Sequence, residues 1–371
     1  MSLRVIITGG GTGGHIYPGI SLAHELISRD FKNEILFVGT QKGLETKLIP
    51  REGFKFCSIK AKGLSRKICG DNFTAIGVFF ISLWQAYKLI RKFKPDVVIG
   101  TGGYVSGSVV LIAALLKIPT FVHEQNVFPG VTNRFLSRIV KAVFLSFDQS
   151  RRYFKGHSKL VFSGNPVRCK NLPSLNKEDF QRFRLDPSKK TILAFGGSKG
   201  AASINRAVIE GVNSIKEDFV KNQWQVLLIT GSEDYEEVRK IMIDKENSIL
   251  LIEPYLYDME RAYALADLVI CRAGATSIAE ISAYGLPAIL IPYPLATHNH
   301  QEYNARLLEK EGAALMVLDK DLSGERLAKI LLNLMQDERQ LERMSQKVRE
   351  FSKPDSAKKI VDFIFDYVKK K

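Results

Sequence analysis

The residues with the most chemistry to offer are "ITGGGTGGHIYPG", 7–19. Gly9, Gly11 and Gly14 satisfy G-x-G-x-x-G, and a histidine, His15, follows at once. The spacing suits a phosphate compound, and a dinucleotide is the first candidate. A dinucleotide site also needs an acid at the end of the second strand, to hold the ribose hydroxyls. That strand here ends "LFVGTQKG", with Gly39, Thr40 and Gln41 where the acid should stand. His15 also places a bulky ring where a pyrophosphate would approach. The dinucleotide reading is the weaker one, leaving a site for another phosphate compound or glycines that simply permit a tight turn, with His15 as a proton acceptor or a structural hydrogen-bonder.

Three more turns have this character: "GTGGYVSGS" (100–108), "GGSKGAAS" (196–203) and "CRAGATSIAE" (271–280). Each follows an apolar run and precedes a helical pattern. Backbone amides at helix starts, with the helix dipole, favour phosphate. Glu280 has two readings. Ser277-Ile-Ala-Glu280 fits a helix capping box, and a carboxylate can equally accept bonds from two vicinal ribose hydroxyls. Spacing leaves both open. His123 and Glu124, in "FVHEQN", read as structural groups fixing the Asn126 loop. His157, His298 and His300 read as loop residues.

These turns must be positioned by strands. In the first half the strand candidates are Arg4–Thr8, Ile35–Val38, Val97–Gly100, Thr120–His123 and Ala142–Leu145. The second half offers Thr191–Phe195, Gln225–Thr230, Ile249–Ile252, Asp267–Cys271 and Ala288–Ile291. Strands this apolar, spaced by helical patterns, indicate parallel sheets covered on both faces. "VIITGGGTGG" at 5–14 is echoed by "ILAFGGSKGA" at 192–201. The expected architecture is α/β, two Rossmann-like doubly wound domains facing a cleft, with ligands at the carboxyl ends of the strands. "SGNPVRCKNLP", 163–173, reads as a linker. The last helical segment, Ser356–Lys371, could pack on either domain.

At 371 residues there is chain enough for two cores. Apolar content of 45% and charged content of 25% suit an ordinary globular protein. The apolar run at the N-terminus is too short for a signal peptide, and no apolar stretch approaches the ~20 residues that span a bilayer. Cys57, Cys69, Cys169 and Cys271 lack C-x-x-C spacing, as expected of reduced cytosolic thiols. The net charge of +15 is one-sided. Residues 1–165 hold 23 Lys+Arg against 9 Asp+Glu, and residues 166–371 hold 31 against 30. The first half therefore calls for an anionic partner. Its basic residues are not interleaved with stacking aromatics in a nucleic-acid module, so no nucleic acid is expected.

Taken together, "GGGTGGHIYPG", "GGYVSG", "HEQN", "GNPVR", "GGSKGA", "RAGATSIAEISAYGLPAILIPYP" and "HNHQEYNA" resemble, in order, one group of GT-B glycosyltransferases. These transfer N-acetylglucosamine to undecaprenyl-pyrophosphoryl-muramoyl-pentapeptide (lipid I) in peptidoglycan synthesis. The resemblance covers nearly the whole chain. It implies UDP-N-acetylglucosamine and lipid I as partners, no cofactor and no metal, and a peripheral place on the cytoplasmic side of the cell membrane. It implies an acceptor- and membrane-binding domain over 1–163, a UDP-sugar domain over 164–355 and a C-terminal helix over 356–371.

Carried over by position, Glu280 would hold the ribose, with Ser198 and Ala275, Thr276, Ser277, Ile278 and Ala279 around the pyrophosphate. Leu256 would read uracil through its backbone, Arg168 adds a donor contact, and Gln301 meets the sugar hydroxyls. Thr12, Gly13, Gly14 and Asn126 complete the donor set. Gly11, Gly102, Gly103 and Tyr104 are expected at the acceptor diphosphate. His15 is expected to be the general base of an inverting transfer. Two positions depart from the group's pattern: Lys199 stands where glutamine is common and Ser108 where proline is usual.

A D-x-D metal motif has one match, Asp319-Lys320-Asp321, which reads as a helix start. Residues 72–95, "NFTAIGVFFISLWQAYKLIRKFKP", place Phe79, Phe80, Leu83 and Trp84 beside Lys88 and Arg91. That pattern suits an anionic membrane surface, with a buried core helix as the alternative.

Overall fold

The computed structural model describes residues 2–61, 71–156, 158–167, 175–197, 200–243 and 249–370, with backbone alone at 71–76 and 242–243. Arg168, Ser198, Lys199 and His157 lie outside the described residues. The chain forms two compact units, Met1–Arg168 with Lys353–Lys371, and Cys169–Ser352.

The first unit runs β1 (Arg4–Gly9), α1 (Gly13–Arg29), β2 (Glu34–Gly39), α2 (Glu45–Arg51), β3 (Lys55–Ser58), α3 (Asp71–Phe93), β4 (Val97–Gly102), α4 (Tyr104–Leu115), β5 (Thr120–Glu124), α5 (Val131–Leu136), β6 (Ala142–Leu145) and β7 (Lys159–Phe162). Its sheet has the order β3-β2-β1-β4-β5-β6-β7, and every pair is parallel. β1, β4, β5 and β6 are runs of β-branched and aromatic residues buried on both faces, the pattern of a sheet covered by helices on each side.

The second unit runs α6 (Lys177–Arg182), β8 (Lys190–Phe195), α7 (Ala202–Ser214), α8 (Lys216–Lys221), β9 (Trp224–Ile229), α9 (Tyr235–Ile243), β10 (Leu250–Glu253), α10 (Met259–Ala264), β11 (Leu268–Cys271), α11 (Ala275–Tyr284), β12 (Ala288–Leu290), α12 (His300–Lys310), β13 (Ala314–Met316), α13 (Gly324–Gln336) and α14 (Glu338–Glu350). Its parallel sheet has the order β10-β9-β8-β11-β12-β13. The ten expected strands are present within a residue or two of their bounds. β3, β7 and β13 were not expected. All three are edge strands, buried on at most one face, so they lack the continuous apolar run.

The last helix, α15 (Ser356–Lys369), returns to the first unit. Its Ile360, Val361 and Ile364 are fully buried in the core that holds Leu22 and Leu26 of α1. Phe363 meets Phe121 and Phe144 edge to face, at 6.1 and 5.4 Å between ring centres. Arg29 Nη2 bonds Asp362 Oδ1 at 2.7 Å. The expected linker begins later than residue 163. Ser163 and Gly164 give their N–H groups to Leu145 O, and residues 163–167 are buried in the first unit.

In each sheet the chain winds outward on one side, then returns to wind outward on the other. The reversal lies between β1 and β4 in the first unit and between β8 and β11 in the second. Ligands of open parallel sheets bind outside the carboxyl ends of such neighbours. The four glycine turns of the sequence leave these four strands.

Candidate active site

In the first unit, β1 leads through Gly9–Gly11 to the α1 start. Thr12 is the N-cap residue with extended backbone, and Gly13 is the first helical residue. His15 N and Ile16 N donate to Thr12 O at 3.1 and 3.3 Å. His15 therefore sits in the first turn, at the positive end of the helix dipole. β4 leads to Gly102 and Gly103, whose φ values of +115° and +81° favour glycine. Gly102 lies under the imidazole: a Cβ there would stand 2.4 Å from His15 Nδ1. Gly103 is the N-cap residue of α4, and Tyr104, exposed, begins that helix.

Burial holds the His15 pKa below its ordinary value, against the hydrogen bonds to Gln125 and the Thr101 backbone and the charge of Glu45. The ring is neutral at neutral pH, the form that accepts a proton. Its Nδ1 lies 3.2 Å from Gln125 Oε1.

The Gly11 N–H donates to Glu45 Oε2 at 3.1 Å. Glu45 is buried on α2 and also accepts from Thr40 N and Thr40 Oγ1 at 2.8 and 2.7 Å. It braces the glycine turn, and nothing in local spacing announces it.

The "HEQN" run closes β5. The buried Glu124 carboxylate accepts from Asn126 N (3.0 Å), Gly130 N (3.0 Å) and Asn133 Nδ2 (2.8 Å). Burial raises its pKa, opposed by these bonds. It fixes the loop that carries Asn126. His123 is fully buried, and burial lowers its pKa to about 4. Gln125 lies between His123 and His15, and the sequence had given it no role.

In the second unit, β11 leads through the buried Arg272 to α11. Gly274 is the N-cap residue, with no side-chain cap, and Ala275, Thr276, Ser277, Ile278 and Ala279 form the first helical residues. This removes the capping-box reading of Glu280. The helix starts at Ala275, so Ser277 is already inside it and no capping box forms. Glu280 instead lies further along α11, where its Oε2 accepts from Tyr263 Oη at 2.9 Å. Tyr263 is buried, and its pKa is raised well above the usual phenol value by that burial and by Glu280, so it remains a donor.

Arg272 donates to Asp319 and to Ser203 Oγ (2.9 Å), and Ser203 Oγ donates to Asp319 at 2.7 Å. Asp319 is thus committed to an ion pair within a short 3-10 turn, Asp319–Asp321, ahead of α13.

Leu256, half-buried, lies on the loop after β10 between Tyr255 and Tyr257, whose rings meet 4.7 Å apart. Gln301 is the second residue of α12, and its Oε1 accepts from Tyr293 N at 2.9 Å. His298 and Asn299 precede it with φ near +53°. His300 Nδ1 lies 2.8 Å from Thr297 O.

On α3, Ser82, Ala86 and Ile90 face inward. Phe79, Phe80, Ile81, Trp84 and Tyr87 are exposed, Phe80 by 66% and Trp84 by 57%. Leu83 is half-buried, and Lys88 and Arg91 are exposed. Lys88 Nζ lies 3.7 Å over the Trp84 ring. The described part of α3 is therefore not a core helix. No described helix is long and apolar enough to cross a membrane.

Two Rossmann-like parallel-sheet units, each with glycine turns at its switch point, define the GT-B fold class. Comparisons with known proteins agree. The glycosyltransferase family 28 N-terminal domain matches residues 5–145, and the family 28 C-terminal domain matches residues 191–360. The chain is 44% identical to the UDP-N-acetylglucosamine--N-acetylmuramyl-(pentapeptide) pyrophosphoryl-undecaprenol N-acetylglucosamine transferase of Thermoanaerobacter sp. (strain X514), over 98% of this chain and 99% of that one. It is 42% identical to the enzyme of the same name from Acetivibrio thermocellus, over 100% and 99%. Among solved structures, Acinetobacter baumannii MurG superposes with a TM-score of 0.77 at 27% identity, covering 98% of this chain and 99% of that one. The chain belongs to glycosyltransferase family 28, in its MurG group of N-acetylglucosaminyltransferases.

Proposed function

We propose that this enzyme moves N-acetylglucosamine from UDP-N-acetylglucosamine to the muramoyl 4-hydroxyl of undecaprenyl-pyrophosphoryl-muramoyl-pentapeptide, with inversion. The names of its relatives support the substrates. The observation that carries the chemistry is a neutral His15 in the first turn of α1, at the β1/β4 switch point.

His15 Nε2 takes the proton of the acceptor hydroxyl as its oxygen attacks the anomeric carbon. The bond from that carbon to the UDP oxygen breaks, and UDP leaves with the electron pair. Gly102, Gly103 and Tyr104 hold the acceptor diphosphate. Gly11, braced by Glu45, completes that acceptor site. Thr12, Gly13, Gly14 and Asn126 meet the transferred sugar. In the second unit Glu280, oriented by Tyr263, holds the ribose, and the α11 start, Ala275–Ala279, faces the diphosphate. Its amides stabilise the departing charge. Leu256 reads the base and Gln301 the sugar, with Arg168 and Ser198 as further donor contacts. The exposed aromatic and basic face of α3 lies on an anionic membrane surface, on the cytoplasmic side.

The test is transfer to a soluble lipid I analogue, with UDP-N-acetylglucosamine compared against UDP-N-acetylgalactosamine. Transfer from the first and little from the second is expected. A folded protein that transfers neither would overturn the assignment. His15→Ala should lower kcat by on the order of 10²–10⁴, with UDP affinity nearly constant.

A further inference from the structure

We propose that Gln125, held by His123, sets the tautomer of His15, placing its proton on Nδ1 and leaving the Nε2 lone pair for the acceptor hydroxyl. This rests on the reading of His15 as the base and deepens it. Gln125 and His123 are positioning residues acting through His15.

The argument is one of hydrogen-bond donors and acceptors. One end of the Gln125 amide lies 2.7 Å from Thr101 O and 3.2 Å from His123 O. Both are carbonyl oxygens and can only accept, so that end must be the NH₂ group. The same nitrogen lies 3.0 Å from His123 Nδ1, which must therefore offer its lone pair. His123 then carries its proton on Nε2, and Nε2 lies 3.1 Å from Gly164 O, another acceptor. Ser146 Oγ, 3.2 Å from the same nitrogen, can accept as well. Every group in this chain has one consistent role.

The remaining end of the amide is Oε1, an acceptor only. It lies 3.2 Å from His15 Nδ1, so Nδ1 must donate. The ring's other hydrogen-bond partner is the Thr101 backbone carbonyl, an acceptor like Oε1. A neutral imidazole holding its proton on Nδ1 has its basic nitrogen at Nε2. Gln125 and His123 are both almost fully buried, so water does not compete for these bonds. The charged or titratable neighbours of His15 are Glu45, on α2, which favours the protonated ring, and His123, on β5. His123 stays neutral down to about pH 4, so it keeps Gln125 oriented across the working range.

The direct measurement is nitrogen NMR on the full chain labelled with ¹⁵N-histidine, with His15→Ala used to assign the signal. Above the His15 pKa, Nδ1 should be the protonated nitrogen. A proton on Nε2, or a mixture of tautomers, overturns the proposal. Gln125→Leu should release the tautomer and lower kcat by about 10-fold or more, short of the ~10²–10⁴ of losing the base. Its KM for UDP-N-acetylglucosamine should stay constant. If that variant fails to fold, Gln125→Glu serves: a carboxylate beside Nδ1 should move the acid limb of the rate profile to higher pH. An unchanged tautomer and acid limb in the folded variant would sink the proposal. The two readings fail separately. Activity and acid limb retained in His15→Ala, with Nδ1 protonated in the wild type, removes the base and leaves the tautomer assignment.

Discussion

Gly102→Ala puts the position of the His15 ring under direct strain. A Cβ built there would stand 2.4 Å from Nδ1, 2.7 Å from Cε1 and 3.1 Å from Cγ of His15, where ordinary contact begins at 3.4 Å. The ring must recede by about 1 Å, and a misplacement of that size costs on the order of 10²-fold in rate. The backbone, at φ +115°, adds strain of about 1–3 kcal/mol. For a unit of this size that lowers the thermal midpoint by ~2–10 °C. The assay is steady-state transfer to a soluble acceptor analogue, with UDP binding and calorimetry alongside. Gly53→Ala separates strain from displacement: its φ is +80°, and a Cβ there has nothing within 4 Å. It should lose stability and keep its kcat. A folded Gly102→Ala enzyme within a few-fold of the wild-type kcat would refute the reasoning, because His15 would then tolerate being moved.

Glu280→Gln should weaken UDP binding by roughly 1.5–3 kcal/mol, the worth of a charge-assisted hydrogen bond, with the thermal midpoint almost unchanged. Loss of stability with UDP affinity intact would make Glu280 structural. Replacing Phe80 and Trp84 with Ser should reduce binding to anionic vesicles without unfolding, since both side chains are mostly exposed; equal binding would place the membrane contact elsewhere. The wild-type rate should fall as pH drops through the lowered His15 pKa, below the ordinary 6.5, and His15→Ala should lack that limb. Stability should fall as well between pH 6.5 and about 4, because the unfolded chain takes up the proton that buried His123 refuses. Calorimetry across that range should show a loss of about 3 kcal/mol, and a flat profile would contradict the buried neutral ring. Transfer should persist in EDTA; full loss restored by manganese or magnesium would mean a metal acts in the reaction.

The central strands were legible because burial on both faces leaves an unbroken apolar run. The edge strands β3, β7 and β13 were not, since "KFCS" and "KLVF" mix charge with apolar residues as one-sided strands do. The glycine turns announced themselves, and so did His15. Its partner did not: Gln125 lies 110 residues away in sequence, and a neutral amide leaves no periodic or charge signal. The S-x-x-E spacing at Ser277–Glu280 left two readings open for a related reason. The pattern of a capping box can occur inside a helix, and the backbone of Gly274 alone fixes where α11 begins. Glu45 shows the same limit, because an acid in a first helical turn reads as dipole compensation until its distance to Gly11 is measured.

The return of α15 to the first unit has a consequence for how the protein is born. A ribosome makes residues 1–168 first, yet these cannot complete their core until α15 emerges, after every residue of the second unit. Until then the groove that takes Ile360, Val361, Ile364 and Phe363 stands open on the nascent chain. Each such side chain contributes about 1.5–3 kcal/mol when buried, comparable with much of a domain's net stability. The second unit, continuous in sequence, can close on its own. We therefore expect the unit encoded first to be finished last: chains arrested at residue 352 should show a protease-resistant second unit and a susceptible first one. Equal resistance in both would show that the first unit folds without its final helix.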